Sequence, residues 1–132
     1  MNTNEIVDEF NTYCIQFLDF IYDITKNTDV TFYKKAINMV NKGSKNKILE
    51  QFIMYCYQYK EYVVNKDKDF FINTDFSSEC TEKSLLHVIK IRDLFSTLSN
   101  DVIEHVFQYL LVLCSLVENY IKQTNILNVD SK

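Results

Sequence analysis

Proline is absent from this chain, and glycine occurs once, at Gly43. Folds made of many tight turns need both residues: proline to preset φ and glycine to reach positive φ. A β-sandwich or barrel is therefore a poor fit, and a glycine-rich phosphate loop is impossible. Long uninterrupted elements with few connections remain, and these are helices. Alanine, the strongest helix former, is almost missing too. Asn, Lys, Ile, Tyr and Phe take its place, which reads as the imprint of an AT-rich coding sequence. Intrinsic propensity is thus weak, and periodicity must carry the assignment.

Apolar spacing predicts about five helices. Over 4–26, Ile6, Phe10, Tyr13, Phe17, Ile21 and Ile24 recur at steps of three and four, widened by Cys14, Leu18 and Tyr22. Asn27, Thr28 and Asp29 then break the run and offer an N-cap. Over 30–41 the expected inward stripe is Tyr33, Ala36, Ile37 and Val40. Asn41-Lys42-Gly43 reads as a stop, with glycine near the left-handed position beyond the helix end. Over 45–65 the inward face is Leu49, Phe52, Ile53, Cys56, Tyr59 and Val63. Residues 66–80 read as irregular, with Phe70-Phe71-Ile72 expected to tuck beneath the helices. A fourth helix spans 82–96, with Leu85, Val88, Ile89 and Phe95 inward. After a turn capped by Ser99, a fifth spans 100–123 through Ile103, Val106, Phe107, Leu110, Leu113, Cys114, Val117 and Ile121. Its segment Leu110 to Cys114 is apolar on every side, which predicts a central helix. Residues 124–132 read as a frayed tail. The expected architecture is a compact, all-α, single-domain bundle over 1–132.

The uninterrupted apolar run of the fifth segment is about half the roughly 20 residues of a membrane span. Glu104, His105 and Glu118 flank it closely, so no span is expected. Residues 1–9 carry Glu5, Asp8 and Glu9, where a secretory signal would carry positive charge and then an apolar run. A reducing, cytoplasmic setting follows. There Cys14, Cys56, Cys80 and Cys114, none in a CxxC pair, act as small core hydrophobes.

The 132 residues carry a formal charge of −4 with one arginine, Arg92. Nucleic-acid binding needs phosphate neutralisation, so it is disfavoured. No metal-ligand spacing exists around His87 or His105, and no nucleophile motif is present. No cofactor and no small-molecule substrate are implied. Two features stand above background. Between Asp29 and Glu50 the only charges are Lys34, Lys35, Lys42, Lys45 and Lys47, a candidate patch for an anion or acidic partner. The aromatics Tyr55, Tyr57, Tyr62, Phe70 and Phe71 are candidate interface residues.

The C-terminal third joins Ile91-x-x-Leu94-Phe95, a Leu98-Ser99 turn, and Ile103-x-x-x-Phe107-x-Tyr109-Leu110-x-x-Leu113. Together with Asp69-Phe70-Phe71 and Phe10-x-x-x-x-x-x-Phe17-Leu18, it resembles a group of short, uncharacterised, all-helical proteins of nucleocytoplasmic large DNA viruses. Phe95 and Phe107 stand where those relatives often carry tryptophan. The resemblance implies a viral accessory or virion component of the infected-cell cytoplasm. It assigns no residue a role.

Three functional readings follow. The first is a non-catalytic protein–protein interaction or assembly protein, acting through a partner or self-association. The second is a host-modulating module that captures a partner helix in a groove. The third is an enzyme whose site is assembled from scattered groups such as His87, His105, Cys80 and the acids.

Overall fold

The protein is all-α. The computed structural model describes residues 1–74 and 89–124. The expectations on Cys80, Leu85, His87, Val88 and the tail beyond 124 lie outside the described residues. Within them run α1 (Thr3–Thr25), α2 (Thr28–Gly43), α3 (Lys47–Tyr55), a 3-10 turn (Tyr57–Tyr59), α4 (Lys60–Val64), α5 (Lys68–Asn73), α6 (Ile91–Thr97) and α7 (Asn100–Thr124). The described residues thus hold seven α-helices where the sequence predicts about five.

The difference comes from two local events. The expected helix over 45–65 breaks at Cys56, whose φ of −123° leaves the helical region. The run Tyr55-Cys56-Tyr57 consists of weak helix formers, and one 3-10 turn carries the chain into α4. The supposedly irregular stretch after it contains α5, because Asp67 caps a new helix by accepting from the Phe70 N–H at 3.1 Å. That short helix turns Phe71 fully inward.

Glycine does none of the expected stopping. Gly43 is the last residue of α2, the cap is Ser44 in an extended conformation, and no glycine has positive φ. The left-handed positions fall instead on Lys26, Lys66 and Lys90. Lys66 sits where a glycine is preferred after α4. Its N–H donates to Val63 O, and the Asp67 N–H donates to Tyr62 O, the paired bonds of a Schellman ending. At the other end of α1, Asn2 and Glu5 close a reciprocal capping box, each bond 2.9 Å. Ser99 Oγ accepts from the Val102 N–H at 3.4 Å ahead of α7, as the sequence predicts.

The core is one hydrophobic cluster. α1 and α7 share its largest helix–helix interface, and α5 and α6 form another close pair. Ile6, Phe10, Phe17, Leu18 and Ile21 of α1 meet Val106, Phe107, Leu110, Leu113 and Val117 of α7, all essentially buried. Tyr13 and Ile24 are only half-buried, so the α1 stripe is centred nearer Cys14 and Leu18 than the spacing predicts. An aromatic chain closes the end near α5: Phe71 packs edge-on against Phe95 at 5.7 Å, and Phe95 lies 4.9 Å from Phe107. By length and composition α7 could cross a membrane, but a buried core helix has the same composition. Here its apolar side is turned inward.

Candidate functional surface

α2 contributes little to this core. Only Val30 and Ile37 are buried, with Tyr33 and Val40 half-buried beside them. Two exposed ion pairs accompany that packing. Lys34 reaches Asp19 of α1 at 2.5 Å, and Lys45 beyond the helix reaches Asp8 at 3.0 Å. Asn11 of α1 also donates to the Lys45 carbonyl at 3.0 Å. The Lys34 side of α2 therefore faces α1.

The opposite side carries an apolar stripe that no element covers in the described fold. Phe32 is 66% exposed and Met39 73% exposed. Ala36 lies between them and Gly43 beyond, both exposed. The spacing 32, 36, 39, 43 puts all four on one line along the helix. Ala36, expected to face inward, thus belongs to the outer surface. The chain's only alanine and only glycine alternate here with two large side chains. A β-carbon added at Gly43 would meet nothing within 4 Å. Fully burying a side chain such as phenylalanine contributes about 1.5–3 kcal/mol. Phe32 forgoes that, although it is the one exposed phenylalanine among the described residues.

Lys35 and Lys42 border the stripe along its outer edge, one helical face away. Lys35 Nζ stands 6.0 Å from the Phe32 ring centroid, within cation–π reach. Of the five lysines named from the sequence, Lys34 and Lys45 hold α1 carboxylates, while Lys35, Lys42 and Lys47 are exposed. Two of the five are thus engaged by α1 and three face outward.

The five candidate aromatics also divide. Phe71 is buried in the core and offers no surface. Phe70 is half-buried, stacked on Tyr62 with centroids 3.6 Å apart and planes 4° from parallel. Tyr62 is 39% exposed. Tyr55 and Tyr57 are half-buried against the core, and Lys60 lies 5.4 Å over the Tyr57 ring. Tyr57 is also the main cause of the upward pKa shift of Lys60. These rings pack the α3–α5 corner more than they form a patch.

A depression of about 510 Å³ lies between α1 and α7 and is lined by Tyr13, Gln16, Glu104, His105, Gln108, Tyr109 and Val112. His105 is exposed, 5.8 Å from the Phe20 ring. Glu104 accepts from Lys66 at 2.5 Å and from Gln108 at 3.0 Å. Those bonds, the Lys66 one first, hold its carboxyl below the usual range. Among the described residues no group of three His, Cys, Asp or Glu side chains is placed to hold a metal ion. Cys14 and Cys114 are buried thiols, each pushed up to about 12, chiefly by burial. Burial likewise raises the Tyr33 phenol, with Cys14 and Cys56 adding to the shift. A thiol held protonated in this way is a poor nucleophile.

The outer stripe of α2 is what sequence reasoning misses. Its signal was present: two apolar lines on one helix, one through Val30 and Ile37 and the other through Phe32 and Met39. The stripe that spacing predicts, Tyr33, Ala36, Ile37 and Val40, includes neither Val30 nor the outer pair. The chain matches no protein-family model, no curated protein and no solved structure.

Proposed function

We propose that the protein is a non-catalytic protein–protein interaction or assembly protein, and that α2 is the element it presents. The supporting observation is the exposed line of Phe32, Ala36 and Met39 beside Lys35 and Lys42. Scattered single apolar residues are ordinary on a surface, whereas a contiguous apolar line rimmed by charge marks an interaction face. In this reading 1–132 is one helical bundle around α7, and α7 is its core helix, not a membrane span. The viral resemblance adds the setting: an accessory or virion component acting in the cytoplasm of an infected cell.

Affinity capture from the source cells tests the reading, comparing the natural chain with a Phe32→Ser/Met39→Ser variant. A protein retained by the first and lost by the second is the expected result. Identical retention by both contradicts a role for α2.

The depression between α1 and α7 favours the helix-capturing module as a second reading, because Tyr13, Tyr109 and Val112 give it an apolar floor. Gln16, Gln108 and Glu104 make its rim polar, so it suits a helix less well than the α2 stripe does. Val112→Glu distinguishes them: it removes a partner held in the depression and leaves one held by α2.

A further inference from the structure

The contour and charge of α2's outer face specify a kind of partner. We propose that this face seats an acidic amphipathic helix of another protein, its apolar seam lying along Phe32, Ala36, Met39 and Gly43 and its carboxylates meeting Lys35 and Lys42. The inference rests on the reading of α2 as the presented element.

Shape argues for a helix as the occupant. Phe32 and Met39 protrude, with the small Ala36 between them and Gly43 beyond. Steps of 4, 3 and 4 residues are the spacing into which a second helix sets its own ridge. From Phe32 to Gly43 the seam runs about 17 Å, enough for a partner of about three turns.

Charge argues for an acidic one. From residue 30 to residue 49 the chain has lysines and no carboxylate, although its overall charge is −4. Of these lysines, Lys34 and Lys45 are engaged by Asp19 and Asp8, so the positive edge toward a partner is Lys35 and Lys42. A second copy docked antiparallel through the same face sets Lys35 and Lys42 of both copies along one edge, and like charges there repel. A lipid surface gains little, because the Val30–Ile37 side of α2 is committed to the core and only Phe32 and Met39 protrude. A nucleic acid would need more phosphate neutralisation than Lys35 and Lys42 supply in a chain of net charge −4.

The test uses the full chain, isotopically labelled, and two synthetic helices of about three heptads each. Both peptides carry leucine at 3-4 spacing; one has glutamate along its flanks and the other lysine. The glutamate peptide is expected to shift the amides of residues 29–43, with binding weakened about tenfold or more between roughly 0.05 and 0.5 M salt. Lys35→Glu/Lys42→Glu is expected to weaken the glutamate peptide about tenfold and to admit the lysine peptide, because the charge relation is reversed. Equal binding of the two peptides, or shifts confined to the α1–α7 depression, overturns the proposal. So does a glutamate peptide that does not bind while the chain binds phosphatidylserine vesicles or doubles its mass through α2. If neither peptide binds but Phe32→Ser still abolishes a cellular partner, the acidic helix is wrong and the docking face stands. If Phe32→Ser abolishes nothing, the reading of α2 falls as well.

Discussion

α7 and α2 treat their apolar residues in opposite ways. α7 turns Val106, Phe107, Leu110, Leu113 and Val117 inward and leaves Glu104, His105, Gln108 and Asn119 outside. α2 places Phe32 and Met39 outside while Val30 and Ile37, with half-buried Tyr33 and Val40 beside them, anchor it. A chain that buries Phe10, Phe17, Phe71 and Phe95 completely has the means to bury phenylalanine. The contrast teaches that α2 packs one side on the core and leaves an apolar line open on the other.

The largest effect that sharpens this contrast comes from the inside. Leu110→Ala, at a position 1% exposed, is expected to cost about 2–5 kcal/mol in urea unfolding, through lost burial and the cavity left behind. Phe71→Ala belongs in the same range, at about 3–5 kcal/mol, since it opens the ring stack with Phe95 and Phe107. A small cost at both positions breaks the contrast from the core side.

The next effect is alkaline. The Cys14 and Cys114 thiols, ordinarily near 9.0, are held near 12 in the folded chain. Above about pH 9 the unfolded chain releases these protons and the folded chain keeps them. The unfolded state then binds fewer protons, so stability falls as pH rises from about 9 to about 12. Urea unfolding across that window is expected to show the fall, and Cys14→Ala to flatten part of it. A thiol reagent at pH 8 is expected to label neither residue until the chain unfolds.

Helix α1 and the core face of α7 were legible in the sequence because each has one long, regular apolar stripe. The caps at Asn27 and Ser99 were legible for the same local reason: a short polar side chain stands just ahead of an apolar run. Helix α5 was not, since a six-residue helix has too few turns for periodicity to register, and only Asp67 announced it. The break at Cys56 was hidden because Phe52, Cys56, Tyr59 and Val63 keep helical spacing through it. The outer face of α2 was misread at Ala36, which fits either stripe by size and spacing; only packing decides between them. Of the lysine cluster, the sequence shows the five charges but not that α1 takes two of them, because Asp8 and Asp19 are far away along the chain.

Smaller effects concern glycine and its absence. Gly43→Ala is expected to raise unfolding stability by up to about 0.5 kcal/mol, less than at a helix interior, since the position is the last of α2 and a methyl group there meets nothing. Lys26→Gly is expected to gain about as much by relieving a left-handed lysine, less whatever the lysine gains over the Tyr22 ring. No gain at either site breaks the account of how this chain ends its helices. Smallest is the exposed Lys66–Glu104 pair. Its depressed carboxyl contributes stability above the ordinary carboxylate range and loses it as pH falls through the folded value. The acid limb of the unfolding curve is expected to lose that component in Glu104→Gln.

The most direct measurement is the unfolding free energy of the Phe32→Ser/Met39→Ser variant against the natural chain. If these side chains serve a partner and not the fold, the two agree within about 0.5 kcal/mol or the variant is the more stable. A loss of several kcal/mol, comparable with Leu110→Ala, places Phe32 and Met39 in the core and contradicts the account.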